Sequence, residues 1–364
     1  MDNVVCLDDL EPLAQAKLSP MAYHYIAGGA EDEWTLRENR AAFERIQLLP
    51  RVLINVARRN LATTVLGTPV SLPVLVAPTG FHGLCHPEAE IATVRGAAAA
   101  QTLMVASTAS NVTLEQIAAA SDAPLWFQLY VYRDRERTRD LVQRAAAAGY
   151  RALCITVDTP LVGRRERDVR NRFHLPDGLT FANFADAVPE NSSGSALNAY
   201  VGSLWEPSFT WDDLDWLRSL SPLPLVLKGI LHPADARLAV EHGATGIIVS
   251  NHGGRQLDTV PAPITMLPHI VEAVENRAEV LLDGGVRRGT DVLKALALGA
   301  QAVLLGRPVL WGLTIGGAGG VQVALELVRA ELALAMALAG LTDVRTVPPS
   351  ILFASLPPVR VPHG

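Results

Sequence analysis

Eight short apolar runs constrain this chain more than any other feature. They are 74–78 (VLVAP), 103–108 (LMVAST), 125–130 (LWFQLY), 152–158 (ALCITVD), 225–229 (LVLKG), 246–251 (GIIVSN), 280–285 (VLLDGG) and 302–307 (AVLLGR). Each is continuous rather than alternating, the pattern of parallel strands covered on both faces. Helical patterns fall between them, at 88–100, 137–148, 233–242, 264–275 and 290–298. Several end at glycine (AAAAGY, VEHGA, LALGA), the residue that most easily closes a helix. Alternating strands and helices build either a doubly wound sheet or a barrel. Eight equivalent units favour the barrel, an α/β fold of the (β/α)8 TIM type.

The spacing has one anomaly. Strand starts lie about 20 to 35 residues apart, but 152 to 225 is roughly 70. The surplus, about 166–213, is rich in Asn, Ser, Pro and Gly, and loops of that length usually cover a site. It reads as a lid after the fourth strand. Residues 1–70 are expected to cap the barrel with short helices. Residues 321–341 are apolar but broken by Glu326, Arg329 and Glu331, so they read as an amphipathic helix rather than a membrane span. The GGAGG at 316–320 lacks nucleotide-binding spacing and reads as the loop that starts this helix. Length alone, 364 residues, would suggest two domains. One barrel absorbs it better, as a single domain over 1–364 with a cap (1–70), a lid (about 166–213) and a C-terminal helix and tail (321–364).

Charge excludes some partners. With 31 basic and 37 acidic residues the net charge is −6, so a nucleic-acid partner is not expected, and no run calls for a membrane. Three cysteines with no CxxC pair cannot form a disulfide framework and fit a reducing compartment. The acidic first residues lack a signal-peptide pattern and the final VPHG is no peroxisomal address, so a cytoplasmic location is expected. Of the 31 basic residues only three are lysines: Lys17, Lys228 and Lys294.

In such barrels the chemistry sits at the C-terminal strand ends. Here those ends carry Pro78, Thr79 and Gly80, then Ser107, Gln128 with Tyr130, and Thr156 with Asp158. Lys228, Ser250 with His252, Asp283, and Gly306 with Arg307 complete the ring. Lys228 ends an otherwise apolar strand. It suits a cation facing an anionic cofactor or intermediate, a Schiff-base amine, or a surface lysine with a buried stem. His252 lies in SNHGGRQLD with Arg255 three residues on. A base beside a guanidinium that grips carboxylates points to a small organic acid. Asp158 could orient His252, whereas a histidine hydrogen-bonded at a helix start needs no such partner. DGGVRRG (283–289) and LGRP (305–308) end the last two strands, where barrels commonly bind phosphate. There Gly285, Arg287, Gly306 and Arg307 are the candidates, against two plain glycine turns. Tyr25, on its own, reads as a packing aromatic. His82 and His86 are four apart, but Gly83 and Pro87 spoil a helical pair and no metal site is expected.

Taken together, SNHGGRQLD, DGGVRRGTDVLKALALGA, LGRP, ITVDTPLVGRRERDVRN, WFQLYV and AGGAEDEWTLREN resemble the FMN-dependent 2-hydroxy acid oxidase family, which includes glycolate and L-lactate oxidases. The resemblance runs from about residue 10 to about 341. It implies a TIM barrel, FMN as cofactor, a small 2-hydroxy acid and O2 as partners, and a homo-oligomer, a tetramer in the family. It implies His252 as active-site base with Asp158 as its partner. Arg255, Arg165 and Tyr25 would hold the substrate carboxylate, and Tyr130 would bond the substrate near the flavin. Lys228 would lie against the N1 and O2 edge of the flavin. Pro78, Thr79, Gly80, Ser107, Gln128, Thr156 and Ser250 would line the flavin. Asp283 would meet its ribityl chain, and Gly285, Arg287, Gly306 and Arg307 its phosphate. Oxidation would then give a 2-oxo acid and hydrogen peroxide. Ala109 departs from the bulky tryptophan of glycolate oxidases and leaves room for a methyl group, so (S)-lactate is expected first. Glycolate, longer or aromatic 2-hydroxy acids, a quinone-linked dehydrogenase and a lactate monooxygenase are the alternatives. The polar lid segment 189–200 (PENSSGSALNAY) argues against the membrane-bound relatives.

Overall fold

The computed structural model describes residues 3–184 and 204–353. Its strands follow in chain order: β1 (Thr63–Val65), β2 (Thr68–Val70), β3 (Val74–Val76), β4 (Met104–Ser107), β5 (Leu125–Leu129), β6 (Leu153–Thr156), β7 (Leu225–Ile230), β8 (Gly246–Val249), β9 (Glu279–Asp283) and β10 (Ala302–Leu305). β3 to β10 close into an eight-stranded barrel, β10 pairing back onto β3, with every barrel pair parallel. Each of the eight apolar runs is one of these strands. Helices separate them: α4 (Ala89–Ala99), α5 (Leu114–Ala119), α6 (Arg135–Ala147), α8 (Asp213–Ser219), α9 (Pro233–Glu241), α10 (Pro263–Val274), α11 (Gly289–Ala297) and α12 (Arg307–Ala339). This is the TIM barrel that the strand rhythm predicts.

Strand alternation sorts the barrel interior into layers. The lower lumen is apolar: Leu75, Val105, Trp126, Cys154, Val226, Ile248, Leu281 and Leu304 are all buried and form one cluster. Two residues further along each strand, the inward positions are Ala77, Ser107, Gln128, Thr156, Lys228, Ser250, Asp283 and Gly306. The same period-2 geometry that fills the barrel with hydrocarbon therefore delivers a ring of polar groups to its upper rim.

The N-terminal segment differs in part from the all-helical cap expected. α1 (Leu10–Gln15), α2 (Pro20–Ala27) and α3 (Trp34–Glu44) do lie there, but residues 63–70 form the antiparallel hairpin β1–β2. Its two-residue turn, Leu66 and Gly67, has φ of +45° and +72°, the paired left-handed geometry of a tight hairpin. Val65 and Val70 join the lumen cluster, so the hairpin plugs the end of the barrel away from the polar rim. The strands are three residues each and carry a proline, too short for periodicity to reveal.

Two further segments are more structured than expected. GGAGG interrupts one long helix: Gly316 and Gly317 leave helical geometry, and regular helix lies on both sides, the first part beginning at Arg307. The lid interval holds the short helix α7 (Glu166–Arg170). The polar segment 189–200 lies outside the described residues. No helix among the described residues is long and apolar enough to cross a membrane.

Candidate active site

The polar rim opens into a cavity that encloses about 1220 Å³, its mouth included. Its walls bring together Tyr25, Pro78, Thr79, Gly80, Ser107, Ala109, Tyr130, Arg165, Lys228, His252, Arg255, Asp283, Gly285, Arg287, Gly306 and Arg307. Gln128, Thr156, Asp158 and Ser250 stand just behind that wall, each bonded to a residue in it or to its neighbour. Ser107 Oγ donates to Gln128 Oε1 (3.0 Å), and Gln128 Nε2 donates to Thr156 Oγ1 (2.9 Å). Lys228 Nζ donates to Ser250 Oγ (3.1 Å) and pairs with Asp283 Oδ2 (3.2 Å).

His252 and Asp158 lie just past the C-terminal ends of β8 and β6, and His252 Nδ1 lies 3.0 Å from Asp158 Oδ1. With Nδ1–H donating to the carboxylate, Nε2 is left as the basic nitrogen. Thr159 Oγ1 also donates to Asp158 Oδ1 (2.9 Å). The loop that presents the imidazole is built from three left-handed residues in a row, His252, Gly253 and Gly254, at φ of +58°, +63° and +75°. Asn251 ties this loop down: its Oδ1 accepts from Gly254 N (3.1 Å), and its amide exchanges two bonds with Asn39 of α3. Beneath Asp158, a bulge in β7 places Gly229, at φ +112°, where a Cβ would lie 2.6 Å from the Asp158 side chain. Only glycine leaves room for that carboxylate.

The electrostatics of the cluster are set by burial and by mutual charge. Burial holds the His252 imidazole below its ordinary range; Asp158 opposes this, while Lys228 and Arg165 reinforce it. Burial alone would raise the Asp158 carboxyl, but contact with His252 and the charge of Lys228 outweigh it and hold it below its usual value. Burial would likewise lower Lys228, yet Asp283 and Asp158 outweigh it and keep the ammonium charged. Burial pushes the Tyr130 phenol up, with Asp158 adding to the shift, so the phenol stays protonated.

Arg255 and Arg165 face the same space. Arg255 Nη1 donates to the carbonyls of Tyr25 (2.6 Å) and Gly28 (2.9 Å), and its guanidinium lies 4.9 Å from the centre of the Tyr25 ring. Tyr25 stacks on Phe173 at 4.0 Å. Its role as a packing aromatic and its place in the cavity wall are thus both real. Arg165, half-buried, is brought down to about 10, chiefly by burial and then by the charge of Arg255.

At the other end lie Gly285, Arg287, Gly306 and Arg307. A Cβ on Gly285, at φ +86°, would lie 1.9 Å from the Asn39 carbonyl oxygen, so backbone passes against backbone here. Arg307 caps the C-terminal end of α2 by donating to the carbonyls of Ile26 (2.9 Å) and Gly28 (2.8 Å), and also donates to that of Gly253 (3.0 Å). Burial brings Arg307 down to about 9 and Arg287 to about 10. Two half-buried guanidinium groups beside a helix N-terminus favour a polyanion next to them. Two buried carboxylate oxygens, Asp283 Oδ1 and Asp158 Oδ2, have no protein partner. Asp283 Oδ1 therefore suits a hydroxyl donor from a bound molecule. A long cavity with a cation at one end, an acceptor midway and a phosphate-like site at the other fits FMN. Among the described residues no cluster could hold a metal ion.

Among the wall residues that sequence reasoning missed, Phe81, Val162, Phe181 and Trp205 bring large or branched apolar side chains from loops. None belongs to a barrel strand, and Val162, Phe181 and Trp205 come from the long interval after β6. Their only signal was apolar character inside an otherwise polar loop.

Comparison with known proteins agrees with this geometry. Residues 14–354 match the family model described as FMN-dependent dehydrogenase. The chain is 54% identical over 360 residues to the L-lactate oxidase of Nostoc sp., covering 97% of this chain and 99% of that one. It is 50% identical to 2-Hydroxyacid oxidase 1 of Homo sapiens, covering 95% of this chain and 96% of that one. Among solved structures, mandelate oxidase with (S)-4-hydroxymandelic acid superposes with a TM-score of 0.92 at 44% identity, covering 96% of this chain and 98% of that one. The chain belongs to the FMN-dependent 2-hydroxy acid oxidase family, and FMN is its cofactor.

Proposed function

We propose that this protein oxidises (S)-2-hydroxy acids, L-lactate foremost, to the 2-oxo acid, with O2 reduced to hydrogen peroxide. The observation that carries this reading is the His252–Asp158 pair, 3.0 Å apart, in one cavity with Arg165, Arg255 and Tyr25. Arg255 and Arg165 grip the substrate carboxylate with paired N–H donors. Tyr130, kept protonated by burial, donates to the substrate oxygen. His252 Nε2 takes the proton that the substrate releases, and Asp158 stabilises the imidazolium so formed. Lys228 holds positive charge where negative charge develops. FMN, when bound, would supply the two-electron acceptor, with O2 as the final oxidant. Gly306, Arg287 and Arg307 would hold its phosphate, Gly285 would leave backbone room beside it, and Asp283 would take its ribityl chain. Pro78, Thr79, Gly80, Ser107, Gln128, Thr156 and Ser250 would line its ring.

Ala109 supports lactate over glycolate. Ala109 lines the cavity with a single methyl where a bulkier side chain would take up space beside the substrate. The relative named L-lactate oxidase supports the same choice. We further read the chain as one barrel domain, as cytoplasmic, and, by family likeness, as a tetramer. The kcat/KM for L-lactate should exceed that for glycolate by about tenfold, the worth of one well-filled methyl pocket. A higher value for glycolate overturns the substrate. Slow reoxidation of the reduced protein by air overturns the oxidase, and acetate as product points to a monooxygenase.

A further inference from the structure

A second pocket of about 1120 Å³, its mouth included, lies beside the catalytic cavity, among the C-terminal ends of β5, β6 and β7. Tyr130 and Trp205 are the two residues that line both spaces. Their rings stack, with centroids 4.2 Å apart and planes inclined by 23°. Tyr130 belongs to the catalytic group proposed above; Trp205 has no assigned task.

Trp205 is held firmly for a residue so near the end of the long loop. Its backbone bridges antiparallel to Tyr132. Arg133 N donates to Leu204 O (3.0 Å), Glu206 N donates to Val131 O (3.0 Å), and Arg133 Nε donates to Trp205 O (3.0 Å). The indole is buried, 7% exposed. Three consecutive residues are thus strapped to the chain just past Tyr130, which fixes the backbone from which the ring stacks on Tyr130.

The two spaces differ in charge. The catalytic cavity presents Arg165 and Arg255, whereas the second pocket is lined by Trp205, Phe209, Trp211 and Leu214, with Glu206 and Asp235 at its edge. A carboxylate is attracted to the first and repelled by the second, while a neutral hydrocarbon tail suits the second. We infer that the stacked Tyr130–Trp205 pair is a partition, and that Trp205 sets the upper length limit of the 2-hydroxy acid by closing off the space its tail would otherwise enter. This rests on the reading of the protein as a 2-hydroxy acid oxidase.

The test is a chain-length series of (S)-2-hydroxy acids, from lactate to 2-hydroxyoctanoate, on the FMN-loaded protein. The wild-type kcat/KM should fall sharply before the octanoate. In Trp205→Leu the ratio of kcat/KM for 2-hydroxyoctanoate over L-lactate should rise by about tenfold or more. Trp205→Phe, which keeps a ring against Tyr130, should fall between. Dissociation constants of pyruvate and 2-oxooctanoate, read from the flavin absorbance, should shift in the same order. A wild-type enzyme that takes 2-hydroxyoctanoate as well as lactate overturns the partition, and needs no variant. So does a Trp205→Leu protein, still yellow, whose activities on both acids fall in proportion, because the indole then only steadies Tyr130. Failure of the underlying reading looks different: no 2-hydroxy acid of any length bleaches the wild-type flavin.

Discussion

At the scale of the residue, His252, the base of the proposed reaction, is an imidazole whose pKa burial lowers and a carboxylate steadies. His252→Gln should leave a yellow protein whose kcat falls by about two to four orders of magnitude, the usual worth of a general base. The pH dependence follows from the direction of its shift. Only the neutral imidazole accepts a proton, so kcat/KM must fall as pH drops through its pKa, and that pKa lies below the ordinary histidine value. The acid limb should therefore sit below pH about 6.5. Asp158 is the group that opposes the depression, so Asp158→Asn should move the limb to still lower pH while kcat falls. A limb that moves upward would contradict the electrostatic account. These two residues were legible in the sequence because strand ends are where barrels keep chemistry, and a histidine followed by two glycines at such an end has few other uses. Arg307 was legible only in part. Its position at the last strand end marked it for phosphate, but its three bonds to the carbonyls of Ile26, Gly28 and Gly253 depend on how the N-terminal segment docks, which no local pattern records.

At the scale of the element, barrel strands could be read because each is a continuous apolar run, and their inward alternation fixed which polar residues would share a rim. The β1–β2 hairpin could not be, since three-residue strands bearing a proline leave no period to detect. The same limit applies to the wall contributed by Phe181 and Trp205, whose place depends on the path of the lid. α3 is tied to the catalytic loop by close contacts: a Cβ on Gly254 would lie 2.7 Å from Leu36 N, and Asn39 bonds Asn251. Its Thr35 N donates to Asp258 Oδ1 (2.7 Å), and its Asn39 packs on Gly285. Gly285→Ala combines a left-handed φ with a Cβ 1.9 Å from a carbonyl oxygen, and should destabilise the fold by roughly 2 kcal/mol or more. Thermal unfolding would show it, with Gly149→Ala, at φ +84° and open to space, as the control that carries the φ strain alone.

At the scale of the whole molecule, the cavity proposed to hold FMN joins most of the chain. Its walls come from the N-terminal segment, from strand ends all around the barrel and from the start of α12, so FMN acts as a linker as well as a reagent. A ligand at 100 times its dissociation constant adds about 2.7 kcal/mol to folding. Removing FMN should lower the midpoint of thermal unfolding by several degrees, and adding it back should restore the loss. An unchanged midpoint would mean that the cavity is already rigid without it. The capping of α2 by Arg255 and Arg307 has one more consequence, in the order of synthesis. Residues 25–28 leave the ribosome early, yet the arginines that receive their carbonyls are made about 230 to 280 residues later. The beginning of the chain must therefore wait, undocked, until nearly the last strand has been translated, and a polypeptide released prematurely from the ribosome has neither anchor nor active site.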